Sequence, residues 1–252
     1  AYFGDDWQAT LQYQDLEVLG DHNPSYKTVP QLQISSQQTL PFWNAQFELY
    51  SELSRFKATA ADLPDAQRSH FEAGITFPIA TPAWFLNSEF KLLQTNYAQE
   101  NIPTDSTIEK SVNRTLPKIR FHGGINFDRP SNMFGSGTTQ TFEPQLQYLF
   151  IPDKDQSNIG VYDTTPLQDD YRGLFRDRRF SGLDRIAQAN QFSWGVTSRV
   201  LSSSNQELFH VSVGKIVYLN NSNDLNQHTS TASLDNIEVN ESALAADIFF
   251  QA

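Results

Sequence analysis

Residues 116–128 set Pro117, Ile119, Phe121, Gly123, Ile125 and Phe127 on one parity and Lys118, Arg120, His122, Asn126 and Asp128 on the other. A period of two places successive side chains on opposite faces of a sheet. A strand buried on both faces would not carry the second, basic row. Sustained alternation of this kind, repeated along most of the chain, limits the fold to sheets with one polar and one apolar face.

The pattern recurs. Trp7, Ala9, Leu11 and Tyr13 alternate with Gln8, Thr10 and Gln12, and Leu16 and Val18 follow in shifted phase, as an inserted bulge residue would produce. Further segments lie at 30–35, 43–53, 71–79, 84–92, 142–150, 191–200, 209–214 and 244–250, with a weak one near 229–239. About eleven strands of roughly 10–14 residues result, against about 5 or 6 for a globular strand. A tilted strand needs about 9–11 residues to cross the hydrocarbon of a bilayer.

The connections alternate between short, as at 39–42, 80–82 and 202–205, and long, as at 98–111, 152–190 and 219–228. Tight turns at one rim and longer loops at the other characterise outer-membrane barrels. Trp43 and Trp84 follow tight turns, while Tyr148, Phe150 and Trp194 lie near the longest loop, which are positions for two interfacial aromatic belts. The expected fold is all-β: the wall of an antiparallel transmembrane β-barrel. A soluble β-sandwich, with the aromatics as its core, is the alternative, and its strands are ordinarily shorter.

Composition narrows the function. No apolar run reaches the 18 or so residues of a spanning helix, and mean hydropathy is −0.48. A net charge of −11 argues against nucleic acid, since phosphate backbones are held mainly by clustered Lys and Arg. With no cysteine there are no disulfides or thiolate chemistry. The five histidines show no metal-ligand spacing, and no G-x-S-x-G elbow or acid–base pair is evident. Neither an enzyme, a metal site nor a cofactor is expected.

The 152–190 connection is long but rich in Tyr, Phe, Leu and Ile, unlike a disordered tract. Within it Arg172, Arg176, Arg178, Arg179 and Arg185 mix with Asp169, Asp170, Asp177 and Asp184. The guanidinium groups could hold phosphates bidentately. Alternatively they pair with the aspartates and with the wall, folding the loop into a lid or a partner contact. The near balance of signs favours pairing. Lys118, Arg120, His122, Asn126 and Arg199 are expected to face the lumen, as part of a solvated wall or as a ligand track.

EKSVNRTLP (109–117), TQTFEPQLQYLFIPDKDQSNI (139–159) and LFRDRRFSGLDRIAQANQFSWGVTSRVL (174–201) together resemble the LptD, or organic-solvent-tolerance, family of LPS-assembly proteins. The resemblance implies a very large outer-membrane barrel in the bacterial cell outer membrane. In that setting lipopolysaccharide arrives across a periplasmic bridge, through an amino-terminal jellyroll, and is inserted into the outer leaflet by a barrel plugged with an LptE-like lipoprotein. No jellyroll is evident in residues 1–252, and both ends read as cuts through a longer protein, so an interior part of the barrel wall is expected. A general outer-membrane porin, whose constriction loop also enters the lumen, is the alternative function, and a soluble sandwich binding module the second.

Overall fold

The structure, a computed structural model, describes residues 1–4, 6–14, 26–168, 170–219 and 241–251. Among them the only helical element is a 3₁₀ turn at Arg172–Phe175. The strands are β1 (Tyr2–Phe3), β2 (Trp7–Gln14), β3 (Tyr26–Thr39), β4 (Gln46–Ala58), β5 (Asp65–Ala80), β6 (Trp84–Glu100), β7 (Ser111–Ile125), β8 (Phe127–Ser131), β9 (Thr138–Ile151), β10 (Ala189–Leu201), β11 (Glu207–Tyr218) and β12 (Ala245–Phe250). They form one antiparallel sheet in which sequence neighbours pair throughout, save that β7 and β8 both pair with β9. One sheet excludes the two-layer sandwich.

Among the described residues twelve strands stand against the expected eleven or so, partly because the segment at 116–128 is not continuous. Asn126 interrupts it: its backbone N–H turns to Ala83 O at 2.7 Å, and β8 continues against β9 alone. The expected weak strand at 229–239 and the phase change at Leu16 and Val18 lie outside the described residues. Register shifts do occur nearby, between Gln12 and Gln14 and between Thr28 and Gln31. Short connections have local chemistry. At 81–83, Thr81 N–H donates to Trp84 O (2.9 Å) and Thr81 Oγ1 accepts the Trp84 N–H (3.1 Å), closing the β5–β6 hairpin.

One face of the sheet, here called inner, is covered by residues 152–188. The outer face bears Phe71 and Ile79 on β5, Trp84, Leu86, Phe90 and Leu92 on β6, Phe121 and Ile125 on β7, and Phe142 and Leu146 on β9, all exposed. From Trp84 to Leu92 this band runs about 27 Å along the strand at about 3.4 Å per residue, comparable to the apolar belt of an outer-membrane barrel. So large an exposed apolar surface marks a contact with membrane or protein, and its height fits the hydrocarbon of a bilayer.

Towards the long-loop rim the amphipathic phase inverts. On β6 the exposed outward Leu92 is followed by inward Leu93 and Tyr97, which are buried, while outward Gln94 and Asn96 are polar. Across β7 the register Leu92↔Pro117 and Gln94↔Thr115 carries the boundary over unchanged. Above it the inner face holds two small apolar clusters roofed by the loop. Phe56, Ala66, Tyr97, Val112, Ile159 and Tyr162 form one, and Leu93, Leu116, Leu149, Ile151 and Ala189 form the other. Each buried Leu or Ile stabilises by about 1.5–3 kcal/mol in water, whereas the outward Leu92 gains only in lipid.

A charge on the belt and one above it should therefore have different effects. Phe90→Arg is expected to destabilise the assembled protein by about 2–4 kcal/mol, and Asn96→Arg by no more than about 0.5 kcal/mol. Urea titration of the folded, heat-modifiable form in bilayers measures both.

Candidate functional site

The most enclosed of the groups that anchor residues 152–188 to the inner face is a guanidinium. Arg68 projects inward from β5 with a fully buried side chain. Its five N–H donors are all used. Nε and Nη2 reach Glu52 Oε1 on β4 at 3.2 and 2.6 Å, Nη1 and Nη2 fork onto Asp163 at 2.9 and 2.5 Å, and Nη1 also donates to Asp184 Oδ1 at 2.7 Å. The Phe56 ring lies 4.8 Å from the Arg68 guanidinium carbon and closes the remaining side.

Asp184 is saturated. Tyr97 Oη donates to its Oδ1 (3.0 Å), and the backbone N–H groups of Tyr162 and Asp163 donate to its Oδ2 at 2.8 Å each. Burial works against its charge, but Arg68 and these backbone donors hold its carboxyl below the usual range. Burial and the adjacent Asp184 charge push Asp163 the other way, upward, in spite of Arg68. Three carboxylates around one guanidinium cannot all be equally comfortable as anions, and Asp163, the less enclosed of the two loop aspartates, takes up the excess.

Beside this knot, Arg114 of β7 grips loop backbone. Nη1 donates to Gln156 Oε1 (2.6 Å) and Asp184 O (3.0 Å), and Nη2 to Leu183 O (2.5 Å). Gln99 of β6 donates to Asn158 O (3.1 Å) and accepts from Gly160 N–H (2.9 Å) and Tyr162 Oη (2.5 Å). Gly182 has φ of +59°, and a Cβ there would lie 2.7 Å from Asp163 O, so the turn that delivers Asp184 requires glycine.

The second half of the loop rests on β10 and β11 where two wall residues lack side chains. A Cβ on Gly195 would stand 2.8 Å from Tyr171 Oη and 2.9 Å from the Phe175 ring, and one on Gly214 would stand 2.7 Å from Leu174 Cδ1 and 2.5 Å from Trp194 O. The 3₁₀ turn thus fits a shallow seat. Under it is a cavity of about 140 Å³ lined by Leu149, Ile151, Leu174 and Ile216 with Arg176 and Arg178 at its margin.

Of the lumen-facing residues expected from alternation, Lys118, Arg120 and His122 lie in one inward row on β7. Lys118 Nζ contacts Asp177 of the loop and lies 3.4 Å from Glu89. Arg120 Nε donates to Gln147 Oε1 (2.7 Å), and its Nη2 reaches Phe175 O (3.4 Å). His122 stacks on Phe175 with ring centroids 5.2 Å apart and bonds Gln145 at 3.0 Å. Arg199 faces inward on β10 away from the loop, between Glu143 and Glu207. Asn126 belongs to the short-turn rim, where its Nδ2 reaches Pro82 O at 3.3 Å.

The loop arginines divide into two groups. Arg176 donates to Gln168 O (2.6 Å) and Asp170 Oδ1 (3.1 Å), and Arg185 to Ile159 O (2.7 Å). Arg178 is exposed and lies 3.8 Å from Asp177. Arg172 and Arg179 are exposed, and among the described residues their side chains make no ion pair; Asp169 lies outside those residues. Sequence reasoning missed Arg68, Glu52, Arg114, Gln99 and Asp163. The inward parity that Arg68 shares with His70 and Glu72, opposite Gln67, Ser69 and Phe71, was the available signal.

Removing Arg68 should leave buried, uncompensated carboxylates: Arg68→Met is expected to cost about 3–5 kcal/mol and to open 152–188 to protease, with Arg68→Lys only partly corrective because an ammonium lacks the fork. Lys118, together with Arg178 and Arg120, overcomes burial and holds the Asp177 carboxyl down at about 2. A depressed folded-state value adds stability above the unfolded carboxyl's pKa of about 3.9. That stability is lost as pH falls from about 4 through about 2. Limited proteolysis of the loop by pepsin should accelerate across that window, and Lys118→Met should remove the pH step.

Over residues 1–252 the chain matches the family model described as LptD: LPS transport system D. It is similar to proteins named LPS-assembly protein LptD from Shewanella frigidimarina (45% identical over 222 residues, 88% of this chain and 29% of that protein), Shewanella denitrificans (43% over 250 residues, 98% and 32%) and Pseudoalteromonas translucida (44% over 221 residues, 88% and 30%). The chain spans about a third of the length of these curated relatives. These matches favour neither a general porin nor a sandwich binding module.

Proposed function

Because the chain belongs to the LptD family of LPS transport proteins, we propose that it forms an interior portion of the barrel wall of an outer-membrane translocon that places lipopolysaccharide in the outer leaflet. The single observation that carries this reading is a 152–188 segment held by a buried Arg68 knot against the inner face of a wall whose outer face is an apolar belt. The long-loop rim is then the cell-surface side. The loop acts as a fixed lid that narrows the lumen along β4–β11 without being a free tether. The remaining lumen suits a lipoprotein plug of the LptE kind, and a periplasmic bridge through a jellyroll elsewhere in the full-length protein would supply the substrate. The role is transport, with no catalytic step.

The paired state of the inner charges sets where substrate phosphate is met. Lys118, Arg120 and Arg176 are engaged by Asp177, Gln147 and Asp170. The exposed Arg172, Arg178 and Arg179 are the more available guanidinium groups on the lid.

Photo-crosslinking side chains introduced singly in the full-length, actively transporting protein test this. Adducts with lipopolysaccharide are expected at Arg178 and Arg179 and to be weaker at Lys118 and Arg120. Absence of adducts at all six positions would remove the loop and inner row from the substrate path.

A further inference from the structure

The outward face at the short-turn rim carries a cation that no carboxylate answers. Arg129 of β8 is exposed and shares the outward parity of Phe127. Its Nε and Nη2 both donate to Gln140 Oε1 of β9 (3.0 and 2.6 Å), Gln140 Nε2 donates to Ser198 Oγ of β10 (3.2 Å), and Ser198 Oγ donates to Thr141 O (2.9 Å). This relay fixes the guanidinium plane and leaves Nη1 and one Nη2 hydrogen unused. The register sets Gln140 and then Val200 beside it, and β8 pairs with β9 alone. Of the nearby carboxylates, Asp128 takes the inward parity, and Glu143 and Glu207 are held by Arg199. Among the described residues Arg129 makes no ion pair.

Towards the belt the same face is hollowed. The outward row Leu86↔Gly123↔Leu146↔Trp194 lacks a side chain at Gly123, where a Cβ would stand only 3.1 Å from Phe85 O. An apolar groove of about 720 Å³ results, facing away from the lid and walled by Phe121, Ile125, Leu146, Trp194 and Val196. Phe127 and Phe142, with ring centroids 6.3 Å apart, lie between the groove and Arg129. From Gly123 to Arg129 the chain covers about 20 Å along the strand, or about 15 Å along the membrane normal at a strand tilt of about 40°. Bilayer hydrocarbon is about 30 Å thick, so the groove lies one leaflet's depth from the cation.

We propose that Arg129 and the Gly123 groove together bind one anionic glycerophospholipid of the leaflet at the short-turn rim, with its phosphodiester on the guanidinium and one acyl chain in the groove. Charge selects the occupant. A phosphodiester satisfies the free N–H donors, whereas the ammonium of a zwitterionic headgroup would meet no carboxylate among the described residues of this face. The site lies on the opposite face of the wall from the lid and at the opposite rim. The inference rests on the orientation given under Proposed function, which makes this leaflet the periplasmic one.

The test places the full-length protein in phosphatidylethanolamine nanodiscs free of lipopolysaccharide, doped with a lipid whose acyl chain ends in a diazirine. Phosphatidylglycerol bearing that chain is expected to label residues 121–125 and 144–146 about five-fold more than phosphatidylethanolamine bearing the same chain, in line with one interfacial cation. Arg129→Gln is expected to abolish that preference, and Val196→Phe, which fills the groove, to lower labelling of 121–125 by either lipid. Equal labelling by the two lipids in the native protein, or a preference unchanged in Arg129→Gln, would overturn the inference and leave the family reading intact. The comparison on the native protein stands whether or not a variant folds, and heat-modifiable mobility reports folding of each. Labelling of Ser131→Cys by an impermeant reagent in intact cells would instead overturn the orientation, and Proposed function with it.

Discussion

The buried Arg68 guanidinium is the interaction on which the inner architecture depends. It joins three pieces of chain that are distant in sequence: β4 through Glu52, the first half of the lid through Asp163, and the second half through Asp184. Buried ion pairs contribute little net stability against an apolar replacement, because desolvation offsets the attraction. Their value here is geometric. Five directed donors admit one arrangement of the lid, and Arg114 and Gln99 then read out its backbone on either side. Closing a long connection costs only slowly more as it lengthens, so fixing its path, rather than bringing its ends together, is the problem the knot solves.

The wall is an amphipathic sheet turned outside in. Its outer face is apolar where a soluble domain is polar, and its inner face carries Lys91, Lys118 and Arg120 around Glu89, with Arg199 paired separately to Glu143 and Glu207. Glycine at 195 and 214 adds a steric element, lowering the wall where the 3₁₀ turn of the lid rests. Charge and shape thus restrict one side of the interior while leaving Arg178 and Arg179 exposed.

Legibility in the sequence followed the physics of each region. Within the belt, one apolar parity is imposed by lipid over many residues, so Trp84, Leu86, Phe90 and Leu92 and their counterparts were readable as strands. Near the rim the parity exchanges, and Leu92-Leu93 or Leu116-Pro117 resemble breaks in a pattern rather than its continuation. That is why β5 was expected to begin near 71, although it begins at Asp65 and includes Arg68. The interruption at Asn126 was hidden for a different reason: the alternation carries on through it, and only the hydrogen bond to Ala83 reveals the change of partner. The motif-bearing loop was conspicuous as a segment, but its contacts were not. Period and charge balance say nothing about which carboxylate crosses to a guanidinium more than ninety residues away.

The exchange of parity at Leu92-Leu93 also divides the thermodynamics of a single strand. Above it, Leu93, Tyr97, Leu116 and Ile159 leave water when the lid closes, so that region carries the positive heat capacity of unfolding and loses driving force on cooling. Below it the apolar side chains meet hydrocarbon, and bilayer thickness rather than water structure governs their environment. One continuous hydrogen-bonded ladder therefore couples an upper storey sensitive to temperature with a lower storey sensitive to lipid. Cold and membrane composition act on the same protein at different heights.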